Sequence, residues 1–169
     1  MGRALDKALS SRCSDLCIAI GRLTVLPSHD ALILLRSSFS VSRLMHTLRC
    51  VPCAGHPSLT IFDNLLREGI SSITNSLLSD IQWLQTSLPI RDKGLGICRA
   101  TSLALSTFLA SAASTSDLQH GTLSSCWPTA DADYIGACAR WSVMYSLPCP
   151  TDDAAVSQRA WDMPAVVRD

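Results

Sequence analysis

His46, Cys50, Cys53 and His56 fall in the order H-x3-C-x2-C-x2-H, and imidazole nitrogen and thiolate sulfur are the donors that zinc prefers. Two features count against a closed tetrahedral site. Pro52 sits inside the cysteine pair, and no second well-spaced pair follows. The four residues are therefore read as a helix C-terminus with apolar thiols and a solvent-facing histidine, and no metal is expected there. Ser28-His29-Asp30 holds the residue types of a hydrolytic triad, but sequence neighbours cannot fold back into nucleophile, base and orienter. Asp131 with Asp133, and Asp152 with Asp153, are the close carboxylate pairs. Each precedes a stretch of helical periodicity, where acids complement the helix dipole and its free N–H groups, so capping is the preferred role over acid–base work. Gly94-Leu95-Gly96 invites comparison with a phosphate loop, yet the third glycine and the Lys-Ser/Thr ending are missing. No catalytic residue and no cofactor is implied.

What remains is a basic set, Arg36, Arg43, Arg49, Arg91, Lys93 and Arg99, whose groups can bind phosphate oxygens. Arg36 and Arg43, seven residues apart, would share one face of a continuous helix. The 14 Lys and Arg balance the 14 Asp and Glu, so no overall field draws the chain to nucleic acid or to an anionic membrane. Any contact with an RNA or DNA backbone would be local and weak, and a solvated helix face is the competing reading.

The elements that carry these residues read as helices. With 47% apolar and 17% charged residues the chain should collapse rather than stay disordered. Leu5, Leu9, Cys13, Leu16, Ile20 and Leu23 make one stripe, with Lys7, Ser11, Ser14 and Arg22 opposite, which is an amphipathic helix. A second helix is expected from Pro27-Ser28-His29-Asp30 to about Cys50. Leu34, Val41, Met45 and Leu48 lie on one face and Leu32, Leu35 and Phe39 on another, so it should be apolar on two sides. A third runs from Ser58 to about Asn75 on Leu59, Phe62, Leu66, Ile70 and Ile73, and a short fourth spans about Ser79 to Thr86. Ser87 to Cys98 is an ordered loop, and Arg99 to Ser116 a helix rich in Ala and Ser. Tyr134, Cys138, Trp141 and Tyr145 space as one more helix, and Asp152 or Asp153 could cap a last short one. Pro27, Pro52, Pro57, Pro89, Pro128, Pro148, Pro150 and Pro164 are expected at or between element ends, because proline lacks the backbone donor. The fold class is all-α, an irregular helical bundle of about five to seven helices with a less ordered C-terminal part.

The first residues, Met1 to Asp6, carry charges where a signal peptide needs an apolar run, and Asp6 occupies the place of a myristoylation Ser or Thr. Ala100 to Ser116 is too short and too rich in small polar residues to span a membrane. No membrane partner and an intracellular setting, cytoplasmic or nuclear, are expected. The eight cysteines are then read as reduced, with Cys13, Cys17 and Cys138 facing the core.

The order of several short strings resembles the segment that follows the polymerase core in non-LTR retrotransposon reverse transcriptases. They are Ser28-His29-Asp30-Ala31-Leu32, then 34–49 from Leu34-Leu35-Arg36 to Leu48-Arg49, then Asp63-Asn64-Leu65-Leu66. Leu88-Pro89-Ile90-Arg91 with Gly94-Leu95-Gly96-Ile97 follows, then 108–113 from Phe108 to Ala113, and last Gln158-Arg159-Ala160-Trp161-Asp162. The resemblance implies a thumb-like helical domain over 1–121 and a helical connector or tail over 122–169. It also departs from the family: polymerase chemistry needs carboxylates that hold two divalent ions around a Tyr/Phe-x-Asp-Asp turn. Pro150-Thr151-Asp152-Asp153 has proline in the aromatic's place, and the palm is missing, as is the family's Cys/His-rich tail. The resemblance thus implies a non-catalytic fragment of a transposable-element polymerase, with backbone contact through Arg36, Arg43 and Arg49. A protein-interaction module without nucleic-acid binding is the alternative. Apolar helix faces left without their palm imply self-association.

Overall fold

Apolar side chains repeating every three or four residues from Leu9 to Leu23 drive the first long element, α1 (Arg3–Leu23), to bury Leu9, Leu16, Ala19 and Leu23. In the computed structural model, which describes residues 2–123 and 131–168, the regular elements among the described residues are helices, with no strand. The chain divides into two compact units, Met1–Met45 with Gly55–Thr101, and His46–Ala54 with Ser102–Asp169.

In the first unit α1 packs along α4 (Pro57–Thr74). All five expected apolar positions of α4, Leu59, Phe62, Leu66, Ile70 and Ile73, are buried. The two helices approach closely at Gly69, where an added Cβ would sit 2.7 Å from Cδ1 of Ile20. They are also joined by a polar contact, Cys13 Sγ donating to the Ser58 carbonyl at 3.5 Å. The expected role of Cys17 is corrected. It is exposed, because it lies beside the narrow Leu9–Leu16–Leu23 stripe rather than on it, and Cys13 is half-buried.

The second expected helix is not continuous. It divides into α2 (Ser28–Leu34), a π-helical turn over Leu35–Phe39, a 3-10 turn over Val41–Arg43, and α3 (Met45–Cys50). Serines cause the break. Ser37 Oγ donates to the Ile33 carbonyl at 2.8 Å and Ser40 Oγ to that of Arg36 at 2.9 Å, so hydroxyls compete for the acceptors of the helix ladder. The Ser40 N–H reaches back five residues to the Leu35 carbonyl, 2.8 Å away, and its ψ of -144 leaves the helical region. The bend removes the conflict of a helix with two apolar faces, since Leu35, Val41, Leu44 and Leu48 are all buried while Leu34 stays exposed. The expected helix start at Pro27-Ser28-His29-Asp30 carries no side-chain cap. Pro27 is the N-cap residue without a side-chain bond, and Ser28 Oγ donates instead to the Ile73 carbonyl at 2.7 Å.

After α4, Asn75 turns the chain in a left-handed conformation (φ 50) into α5 (Asp80–Ser87). That helix begins with a capping box: Ser79 Oγ accepts from Gln82 N–H, and the Gln82 side chain accepts from Ser79 N–H. The following loop is ordered by its own backbone. Gly94 N–H donates to the Pro89 carbonyl, Leu95 N–H to that of Thr86 and Gly96 N–H to that of Leu88.

The second unit centres on α6 (Ala100–Leu123) from Ser102 onward, its first two residues belonging to the first unit, with α7 (Ala132–Tyr145), α8 (Asp152–Ala155) and α9 (Gln158–Arg168). Leu105, Phe108 and Leu109 of α6, Ala137 and Trp141 of α7, and Trp161 of α9 form its core. The Trp141 and Trp161 rings meet edge-on at 5.2 Å between centroids. Both indole N–H groups are satisfied, Trp141 on the Trp161 carbonyl (3.2 Å) and Trp161 on the Ala155 carbonyl (2.7 Å). Asp131 caps α7 as expected, accepting from the N–H groups of Asp133 and Tyr134. Asp152 and Asp153 make no cap; they lie in the first turn of α8, whose N-cap residue is Thr151. Pro164 lies inside α9 rather than at its end, so that helix runs on with one backbone donor fewer, after a turn anchored by Trp161. Pro128 falls outside the described residues.

Candidate functional site

The four cysteines and histidines have different surroundings. His56 is buried at the N-cap of α4: its Nδ1 accepts from Ser58 N–H at 3.1 Å, which puts the ring proton on Nε2. Nε2–H then donates to Asp6 Oδ1 at 2.8 Å, tying α1 to the start of α4. Both ring nitrogens are engaged, so the expectation of a solvent-facing imidazole holds for His46, which is exposed, and not for His56. Cys50 is exposed, 3.9 Å from His46 Nε2, and Cys53 is fully buried. Burial pushes the Cys53 thiol up, against the thiolate that zinc requires. Among the described residues no group of three or more His, Cys, Asp or Glu is placed to hold a metal ion.

Asp63 is the polar centre that sequence reasoning passed over as one letter of a motif. It is buried on α4, and its carboxylate sits at the N-terminus of α6. Oδ1 accepts from Ala100 N–H at 2.6 Å; Oδ2 accepts from Thr101 N–H at 3.1 Å and from the Thr101 hydroxyl at 2.6 Å. Burial raises its pKa, opposed by these three hydrogen bonds and by the charge of Arg99. A carboxylate so occupied at a helix N-terminus is a cap supplied from 37 residues away, and it has no acceptor directed at a substrate.

The Gly94-Leu95-Gly96 loop also departs from anion binding. Its three successive N–H groups, which would have to face a phosphate, all donate to main-chain carbonyls. Gly94 is required because a Cβ there would lie 2.0 Å from the Leu88 carbonyl oxygen. Gly96, at φ 71, occupies the left-handed region.

Of the basic set, Arg36, Arg43, Arg91 and Lys93 are exposed in the first unit. Arg36 and Arg43 do not share a helix face as expected, because the Ser40 break separates them. Arg36 lies in the π turn and Arg43 closes the 3-10 turn, its guanidinium 5.4 Å from the Phe39 ring and its Nε–H on the Ser38 carbonyl at 3.1 Å. The Arg36 stem instead crosses the loop, with Cδ 3.4 Å from where a Cβ on Gly96 would be. That places it beside the turn bearing Arg91, which pairs with Asp92 at 3.2 Å, and Lys93, left-handed at φ 64. Arg99 is half-buried with its charge acting on Asp63, and Arg49 is exposed on α3 in the second unit.

Among the described residues no helix is long and apolar enough to cross a membrane. No protein-family model, no curated protein and no solved structure matches the chain.

Proposed function

We propose that this chain is a non-catalytic helical remnant of a retroelement RNA-directed DNA polymerase, resembling its thumb and connector, with weak, sequence-independent affinity for a nucleic-acid backbone. The observation that carries the reading is the approach of Arg36 to the loop of Arg91 and Lys93, which gathers three exposed cations in one unit. Their role is phosphate contact, and no step of catalysis is assigned to them. If each meets one phosphate of a duplex, affinity falls about forty-fold between about 50 and about 200 mM salt. Anisotropy of a labelled RNA–DNA duplex measures this. The triple variant Arg36→Ala, Arg91→Ala, Lys93→Ala should flatten the salt slope by about 2.7. Binding that ignores both salt and the triple variant overturns the reading.

A second reading, a protein-interaction module that also self-associates, is favoured by an open groove of about 350 Å³ lined by Ile70, Leu77, Leu78 and Leu95 among others. Leu77 on its rim is 94% exposed, and the nearby α5 residue Ile81 is exposed too. Association through such residues persists at high salt, which separates it from phosphate contact.

A further inference from the structure

The chain beyond α7 does not run away from that helix. Ser146 adopts a left-handed conformation at φ 54, and Cys149 follows between Pro148 and Pro150. The Cys149 thiol is thereby returned to α7, where Sγ donates to the Cys138 carbonyl at 3.5 Å and lies 3.2 Å from the Ser142 hydroxyl. The Cys138 thiol is half-buried and, like Cys149 and Tyr134, packs against the core around Trp141 and Trp161. Two cysteines therefore meet, the Cys149 thiol lying on the Cys138 main chain, one residue on a helix and the other held by a turn between two prolines. Cys138, whose helical position marks it as core-facing, thus has a second neighbour of its own kind.

We propose that Cys138 and Cys149 are a dithiol modification site that closes to a disulfide when the chain meets an oxidised small-molecule disulfide of the glutathione type. The Cys149 thiolate attacks one sulfur of the oxidant and expels one glutathione thiolate, leaving a mixed disulfide on Cys149. The Cys138 thiolate then attacks the Cys149 sulfur, forming the internal bond and expelling the second glutathione. The two protein thiols give up two electrons and two protons, and the oxidant takes them up as two molecules of reduced glutathione. The order follows from the surroundings. Burial holds the Cys138 thiol up, at about 11, with the Cys149 charge adding to the effect, so Cys138 is the poorer first nucleophile. Once Cys149 is capped, that charge is gone. The contact in the folded chain replaces a second bimolecular encounter by an intramolecular one. Cys50 and Cys53 are the rival pair by sequence, but Cys53 is fully buried and its burial disfavours the thiolate.

The test uses the full chain incubated with oxidised glutathione, quenched with acid and a maleimide, and digested with trypsin. Cleavage after Arg140 puts Cys138 and Cys149 on separate peptides, so only a disulfide joins them. The expected product is that joined pair, lighter by two hydrogen atoms, while exposed Cys17 and Cys50 carry glutathione. In Cys138→Ser and Cys149→Ser the remaining cysteine should keep its glutathione, and closure in the natural chain should quicken as pH rises. The proposal is overturned if Cys138 and Cys149 are both recovered as maleimide adducts. It is equally overturned if the crosslink joins Cys50 to Cys53 instead. Should either variant fail to fold, sequencing of the joined peptides from the natural chain decides, because it separates Cys138 from Cys126, which shares its tryptic peptide.

Discussion

Replacing Asp63 removes the acceptor for three donors at once, and the cost can be worked from their surroundings. Ala100 is fully buried, so in Asp63→Ala its N–H loses its only side-chain acceptor with no water to take its place, at about 1–3 kcal/mol. Thr101 is exposed, and its N–H and hydroxyl can turn to solvent, so their loss is the ordinary loss of a cap, about 0.5–2 kcal/mol. Against this stands the cost of burying the carboxylate, which the variant escapes. The net expectation is a loss of about 2–4 kcal/mol for Asp63→Ala. Asp63→Asn keeps one acceptor for Ala100 but turns an amide donor toward Thr101, for a loss of about 1–2 kcal/mol. Urea unfolding followed by helical circular dichroism gives both values. If Asp63→Ala lies within about 0.5 kcal/mol of the natural chain, as surface substitutions do, the cap contributes nothing and the reasoning fails. The pH dependence has a definite sign. Because the pKa of Asp63 is raised, the folded chain holds this proton more tightly than the unfolded one. This group's contribution is therefore full below the ordinary carboxylate pKa and declines as pH rises through the raised one. Across that window the natural chain should lose stability relative to Asp63→Asn.

Gly94→Ala forces a Cβ against the Leu88 carbonyl and should cost about 3 kcal/mol in the same unfolding assay, because backbone has to move. Gly21→Ala, with nothing within 4 Å of the new methyl in exposed α1, should instead gain about 0.5–1 kcal/mol; equal effects would refute the close approach at Gly94. Trp161→Ala empties the centre of the second unit and should cost about 3–5 kcal/mol, read as loss of the near-ultraviolet signal of Trp141. Elemental analysis of chain purified without chelator should find no stoichiometric zinc. One zinc per chain, lost in the double variant Cys50→Ser, Cys53→Ser, would contradict the roles given to His56 and Cys53.

The helices were legible where one face alone meets a neighbour. Leu9, Leu16 and Leu23 in α1, and Leu59 to Ile73 in α4, repeat at the helical period because each helix presents one stripe to the other. The same rule misjudged the chain around Ser40. An apolar count shows two faces there, but it does not register serine hydroxyls that take carbonyls from the ladder and let the chain bend between them. Cys17 was misplaced for a related reason, since periodicity fixes a direction on the helix and not the width of the surface it meets. Pro164 shows the reverse: a local rule against proline in helices gave way where Trp161 anchors the preceding turn.

The polar centres were hidden because their partners are remote in sequence. Asp6 with His56, Asp63 with Ala100, and Cys138 with Cys149 become neighbours only after helices pack or a turn reverses, and no local spacing announces them. The strings that carry the family resemblance divide along the same line. Asp63 caps a helix, Gly94 admits a backbone crossing, Phe108 and Leu109 fill a core, and Trp161 locks another helix in place. Each has a structural task that would persist in a chain with no chemistry to perform. A series of such residues therefore speaks to shape, and the shape alone assigns no reaction. Function then has to be sought among residues that the packing leaves over. Arg36, Arg91 and Lys93 are such residues: exposed, brought toward one loop, and required by no core contact. For that reason their removal should alter the salt dependence of duplex binding while leaving the unfolding free energy within about 0.5 kcal/mol of the natural chain. A larger loss of stability would return these cations to the fold and leave the nucleic-acid reading without its residues.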